Sequence, residues 1–529
     1  MASPPPQKKR KGTAGSRDRL SDLPDPLLGH VLSFLPNKEA GRAAGLSRRW
    51  RDVFCNVHAV SFGERPGASA NDWTTFYHEA EEKKSCSAAL LDDVCSALLC
   101  RRRTAGHHVP LRSFRFAFDR CHHWNFVHVD QWLSYVLRHG NQELHLDLRF
   151  KIAPICLLRD KKEDEAVDSG TDNTDDEDRF AKLRRRWVYV LPRRLFTCRV
   201  IRTLCVAYCR LKLPAAVSLP LLETLSITAP HSDGGRSIQR LISGCPRLTD
   251  LTLEAVHRLK RVSVLDKRLR RFALRCCHNM KSVDIDASEL RSLDYCGTVP
   301  AEPLLTLHGS RGVPSCTVDF CSVLSEDTEV TGFRVFMQKI SDAKHLHLHH
   351  RRLESRFFLG FPPFSTLTRL VLQGPLVNCG TVVSVGRILE QTPNLEVLSL
   401  YMEEHVVYTK KKDDTMGRDL TMSEEDEEDD AVEKEKDADD SLVAPDEESM
   451  VPDESSFSMP CLRHRVKEIN MVHYVGDETQ RMMARLLFGN ALVLERMCVV
   501  LVKGTFALQS RLKNEIDSWV VANAEKVFL

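Results

Sequence analysis

The sequence predicts an α+β chain: three short N-terminal helices, then a long α/β solenoid, then a compact C-terminal cap. Three observations predict it. Apolar residues bounded by prolines recur at helical spacing between Leu23 and Phe54. A short strand pattern, L-x-x-L-x-L, then returns in eight full copies. Beyond an acidic stretch, two further strand patterns and two amphipathic helices close the chain.

In the N-terminal module Asp25 is placed to N-cap a first helix with Pro26 at its first position, where the missing N–H costs nothing. Leu27, Leu28, Val31, Leu32 and Leu35 form one apolar face, and Pro36 ends the helix. Asn37 caps a second helix that runs through Ala40 to Ala44 and closes at Gly45. A third helix sets Leu46, Trp50, Val53 and Phe54 against Arg48, Arg49 and Arg51. Three helices of this size bury too little to be stable alone, and their apolar residues outnumber what one small core needs. A partner's helices are expected to cover the excess.

This stretch resembles an F-box, whose pattern L-P-x-x-L-L-x-x-[IV]-L-x-F-L-P, followed by L-S-R-R-W-R, it matches almost position for position. Phe54 is one departure, where many members carry Trp. The resemblance implies docking onto the Skp adaptor of an SCF ubiquitin ligase and, through it, onto a cullin scaffold. It makes Leu23, Pro24, Leu27, Leu28, Val31, Leu32, Leu35, Leu46 and Trp50 the expected adaptor contacts.

The strand pattern appears as Leu111-Phe114-Phe116, Ile201-Leu204-Val206, Leu222-Leu225-Ile227, Leu248-Leu251-Leu253, Leu269-Phe272-Leu274, Leu290-Leu293-Tyr295, Leu367-Leu370-Leu372 and Leu395-Leu398-Leu400. Leu144-Leu146 and Leu346-Leu348 fit it more loosely. Leu251, Phe272 and Leu293 fall at the spacing of leucine-rich repeats. Half-period copies, Leu259-Val262-Val264 and Met280-Val283-Ile285, predict a second strand on the opposite wall of each coil. The pattern fades between about 300 and 345. Such coils bury their leucines against neighbouring coils and leave a long surface for a protein substrate, whose identity the residues do not encode.

The domain boundaries follow from these patterns. Residues 1–16 are a basic tail, disordered by composition, whose Lys8-Lys9-Arg10-Lys11 resembles a nuclear-localisation patch. Residues 17–62 are the F-box, and 63–110 a helical connector with an amphipathic helix over Ala88 to Arg103. The solenoid spans 111–407, interrupted by an acidic insert at 160–178; a second acidic insert occupies 408–456. Residues 457–529 form the cap. There Asp477 is placed to cap a helix, and Leu512, Ile516, Trp519 and Val520 line a last one. Cys461 to Ile469 and Asn490 to Glu495 resemble the FBD-type ending of plant F-box/leucine-rich-repeat proteins.

Composition narrows the function. With 75 Lys and Arg against 73 Asp and Glu, the net charge of +2 supplies no global field for nucleic acid. No apolar run is long enough to cross a membrane, and no signal peptide is evident. The 18 cysteines contain no C-x-x-C pair, so free thiols in the nucleus or cytoplasm are expected, with no disulfide frame and no metal. His345, His347 and His349 would share a strand face, but Leu346 and Leu348 are the buried positions, so the histidines are expected to meet solvent. Cys121-His122-His123 and Cys276-Cys277-His278 are adjacent residues, each in a turn after a strand; neighbours on a strand point to opposite faces and do not easily share an ion, so neither run is expected to bind a metal. The Lys/Arg runs of the repeats are read as solvating the outside, so no cofactor is expected. No catalytic motif occurs. The expected function is a non-catalytic substrate-recognition adaptor; the alternative is an F-box scaffold or interaction protein in the nucleus that works without a ligase.

Overall fold

The computed structural model describes residues 20, 22–35, 37–55, 57–63, 83–103, 111–118, 126–148, 156, 188–231, 235–300, 303–309, 312–321, 327–350, 355–358, 360–376, 378–402, 459–502, 506–520 and 523–529. The basic tail, both acidic inserts and Cys121-His122-His123 lie outside the described residues. The chain divides into two compact units, Met1–Lys344 and His345–Leu529.

The first unit begins with helices α1 (Asp25–Ser33), α2 (Asn37–Ala44) and α3 (Arg48–Cys55). Pro24, with extended backbone, takes the N-cap place expected of Asp25. The Asp25 carboxylate is used differently: its Oδ1 accepts from Arg49 Nε at 2.8 Å, joining α1 to α3. Gly45 N–H donates to the Arg42 carbonyl at 3.1 Å as α2 ends. Ser47 Oγ accepts from Trp50 N–H at 3.2 Å, satisfying a first-turn donor of α3. A helix over Lys83–Arg103 follows, and its buried Arg101 donates to the Val57 carbonyl at the end of this module.

The repeats form one parallel sheet and a second, smaller wall. The strands are β1 (Ala59–Gly63), β2 (Ser113–Phe118), β3 (Glu143–Leu148), β4 (Thr203–Ala207), β5 (Thr224–Thr228) and β6 (Asp250–Glu254). They continue as β7 (Arg261–Val264), β8 (Arg271–Arg275), β9 (Ser282–Asp286), β10 (Ser292–Gly297), β11 (Leu305–His308) and β12 (Ser315–Phe320). Within this unit β1-β2-β3-β4-β5-β6-β8-β10-β12 pair in that order, while β11-β9-β7 make the other wall. The central residue of each strand pattern meets the next in register: Phe114, Leu144, Leu204, Leu225, Leu251, Phe272, Leu293 and Cys316. All are buried, because alternation on a strand sends every second side chain between the walls. The half-period copies are the opposite wall, where Val262 pairs with Val283 and Val283 with Leu305. β12 lay in the faded stretch because Val313, Cys316 and Val318 take the places of the leucines, and all three are buried.

A left-handed residue follows four strands of the long sheet. Tyr208, Ala229, Ala255 and Cys276 have φ of 57°, 44°, 50° and 50°. The first three donate their N–H to the strand-end carbonyl of the next coil, those of Thr228, Glu254 and Arg275, at 2.8–3.0 Å. This turn redirects the chain from one wall toward the other without leaving the backbone donor unpaired. Ala229→Val is therefore expected to lower stability by roughly 1–3 kcal/mol, since a β-branched residue is strained at positive φ. Ala229→Gly should cost little; urea midpoints of the two variants check this.

The second unit carries β13 (His345–His349), β14 (Arg369–Gly374), β15 (Val397–Met402), β16 (Glu468–Tyr474), β17 (Arg496–Leu501) and β18 (Glu525–Phe528) in one parallel ladder. Leu398, Ile469 and Met497 stand in register, so the C-terminal segment continues the ladder of β15. Asn378 and Asp477 cap the helices Cys379–Glu390 and Glu478–Asn490; Asp477 Oδ1 accepts from Gln480 N–H at 2.7 Å. Leu512 and Ile516 bury one side of the last helix, Phe506–Trp519. On β13, Leu346 and Leu348 are buried and His345 is exposed, as the alternation requires. His347 and His349 are half-buried, stacked at 4.5 Å, with His347 Nε2 3.0 Å from Gln373 Oε1.

Candidate partner-binding surfaces

The apolar residues of α1 face two ways. Leu28 and Leu32, one turn apart, are 0% and 2% exposed and pack with Ala40, Trp50, Val53 and Val57; Leu23 packs against that cluster half-buried. Leu27, Val31 and Leu35 occupy the adjoining stripe and are exposed, as is Pro24. Phe34 and Leu46 are 74% and 75% exposed. Of the nine expected contacts, then, Leu28, Leu32 and Trp50 build the domain's own core, and Pro24, Leu27, Val31, Leu35 and Leu46 are open. Phe34 and the half-exposed Leu20 join the open stripe although neither was expected there. The signal for Phe34 was present, because it lies seven residues after Leu27, at the C-cap of the same helix.

The outer row of the long sheet is the second candidate surface. Asp250 of β6 accepts twice from the Arg271 guanidinium of β8, at 2.9 and 2.7 Å, and those bonds, with the carboxylate charge, raise the pKa of Arg271. Arg275 pairs with Asp294 of β10, and Thr228 Oγ1 donates to Glu254 at 2.9 Å. The row is thus rich in charge but internally neutralised, unlike a basic surface for nucleic acid. On β3, His145 lies between Arg115 and Cys205 in register. Burial first, then the Arg115 charge, lowers its pKa to about 4. The unfolded chain takes a proton near pH 6.5 and the folded chain only near pH 4, so stability falls as pH drops through that window. The loss should reach roughly 3 kcal/mol at most, and His145→Gln should flatten it in acid denaturation curves.

Among the described residues fourteen cysteines are free thiols. Cys55 is disulfide-bonded, against the expectation of free thiols throughout. The reading of Cys276-Cys277-His278 also needs correction. Cys276 is left-handed and the strand has ended, so strict alternation no longer holds, and Cys276 and His278 come together with Cys156 and Cys321. Cys277 points elsewhere, its thiol reaching the carbonyls of Leu253 and Arg275.

Comparison with known proteins agrees with this architecture. The F-box domain family model matches residues 20–59, over α1, α2 and α3. A model described as FBD-associated F-box protein At5g56370, LRR repeats, matches residues 177–303, from β4 to β10. F-box/LRR-repeat protein At4g14103 of Arabidopsis thaliana is 26% identical over 407 residues, covering 73% of this chain and 92% of the relative. F-box/LRR-repeat protein At3g59200 of the same plant is 25% identical over 424 residues, covering 73% and 69%. The chain thus carries an N-terminal F-box match followed by parallel leucine-rich coils, and in both it is similar to the F-box/LRR-repeat proteins of Arabidopsis thaliana.

Proposed function

We propose that the protein is the substrate-recognition adaptor of an SCF-type E3 ubiquitin ligase. The F-box would bind the Skp adaptor and, through it, the cullin scaffold; the outer row of the repeats would hold a protein substrate. No residue of the chain is assigned a catalytic role. Rate enhancement would come from holding the substrate near a charged ubiquitin-conjugating enzyme, which turns a bimolecular encounter into a local one.

The observation that carries this reading is the two-sided α1. A three-helix module that buries Leu28 and Leu32 completely, yet leaves Leu27, Val31, Phe34, Leu35 and Leu46 open, exposes the kind of large apolar side chains that mark a protein interface. We assign direct adaptor contact to these five and to Pro24, with Leu23, Leu28, Leu32 and Trp50 holding them in place. The working compartment is proposed as nucleus, cytoplasm or both; among the described residues no helix is long and apolar enough to cross a membrane. The test is affinity purification of the full chain from plant cells. Recovery of both adaptor and cullin is expected, and recovery of the adaptor without cullin would sink the ligase reading in favour of a scaffold.

A further inference from the structure

One cluster in the core of the first unit is made of sulfur. Cys156, Cys276, Cys296 and Cys321 are buried against one another. Sγ of Cys276 lies 3.7 Å from that of Cys296 and 3.7 Å from that of Cys321, and Cys296 and Cys321 are 3.5 Å apart. His278 enters the same pocket, with Nε2 3.3 Å from Cys156 Sγ. Ligand atoms of Cys156, Cys276, His278 and Cys321 all lie within 4.8 Å of one another.

A disulfide would hold two of these sulfurs at about 2.05 Å, so the group is reduced. Packed neutral thiols would explain the sulfurs alone, since buried cysteine behaves as a small hydrophobe. They do not explain the imidazole. Nδ1 of His278 is buried and makes no hydrogen bond, and Nε2 faces a thiol rather than a carbonyl or carboxylate. A ring nitrogen so placed is costly unless its lone pair finds a partner. In a tetrahedral zinc site with Zn–S bonds of about 2.3 Å, the sulfurs stand about 3.8 Å apart, close to the 3.7 Å between Cys276 and Cys321.

We propose that Cys156, Cys276, His278 and Cys321 bind one zinc ion in a closed structural site. Three thiolates and an imidazole are a ligand set that zinc fills without leaving an open position for catalysis. Binding involves no change of oxidation state: the three thiols release their protons to solvent and the sulfurs donate electron pairs to the metal. Cys296, in contact with two of the ligand sulfurs, forms the outer wall. A cavity of about 360 Å³, with His278, Cys296, Gly297 and Pro300 in its lining, borders the site on the His278 side. The ion would tie residue 156 to a turn 122 residues further along, and through Cys321 to the end of β12. Among the described residues, no backbone hydrogen bond ties residue 156 to either turn.

The test is metal analysis of the full chain, co-expressed with its adaptor partner, supplied with zinc and purified without chelator. About one zinc ion per chain is expected, falling at least roughly tenfold in Cys321→Ser and in Cys156→Ser. Cys245→Ser, at a buried thiol outside the cluster, should keep its zinc. Because a core variant could unfold for other reasons, cobalt is exchanged into the wild-type chain as a second measurement. Visible absorption of tetrahedral thiolate-bound cobalt supports the site. A wild-type chain without stoichiometric zinc, ligand variants that keep it, an octahedral cobalt spectrum, or a disulfide among these cysteines would each overturn the proposal.

Discussion

Phe34→Asp combined with Leu46→Asp is expected to abolish binding of the Skp adaptor while the F-box stays folded. Both side chains are about three-quarters exposed, so neither stabilises the module by burial within the described chain. At the centre of an interface, truncating a large apolar anchor costs about 2–4 kcal/mol, and two such losses weaken binding by roughly a thousandfold or more. Titration of purified adaptor against each chain, with circular dichroism of the variant, reads both halves of the expectation. Leu28→Ala behaves differently. It empties a fully buried place beside Trp50 and Val53 and should cost about 2–5 kcal/mol of folding, more than three short helices tolerate. Leu28→Ala with Leu32→Ala would therefore lose the adaptor by unfolding the F-box, so only the aspartate pair isolates the docking face. Wild-type affinity in that pair would remove the patch from the interface.

Phe272→Ala is expected to have the second large effect, on stability. Phe272 is fully buried and pairs in register with Leu251 on one side and Leu293 on the other. Removing the ring leaves a cavity between two coils and should cost about 3–5 kcal/mol. Coils touch only their neighbours, so the damage centres on β6, β8 and β10, where amide exchange should accelerate most. Phe272→Leu should recover most of the loss. A urea midpoint unmoved by the alanine would mean that the ladder is not the core of this unit.

The F-box and the repeats were readable along the chain because each is written in short spacings. Prolines at 24 and 36, Trp50 and the leucines between them declare a helical module within some thirty residues. Each L-x-x-L-x-L declares its own strand, and the half-period valines declared the opposite wall. Where cysteine and valine replaced leucine, at Val313, Cys316 and Val318, the spacing survived but the hydrophobic signal weakened, and β12 passed unseen. The apolar stripe of α1 was readable as well, but its division was not. Five residues on one broad arc satisfy helical periodicity equally, and the crossing of α3 with Trp50 and Val53 selects Leu28 and Leu32 as the buried pair.

Local spacing sufficed for the order of the modules and the residues lining each coil, because a strand's or helix's periodicity depends on neighbours a few positions away. Folding alone chose which leucines remain open and gathered Cys156, Cys276, His278 and Cys321 into one pocket. Those outcomes depend on how separate elements cross and where a left-handed turn redirects the chain, and neither leaves a periodic trace in the order of the residues.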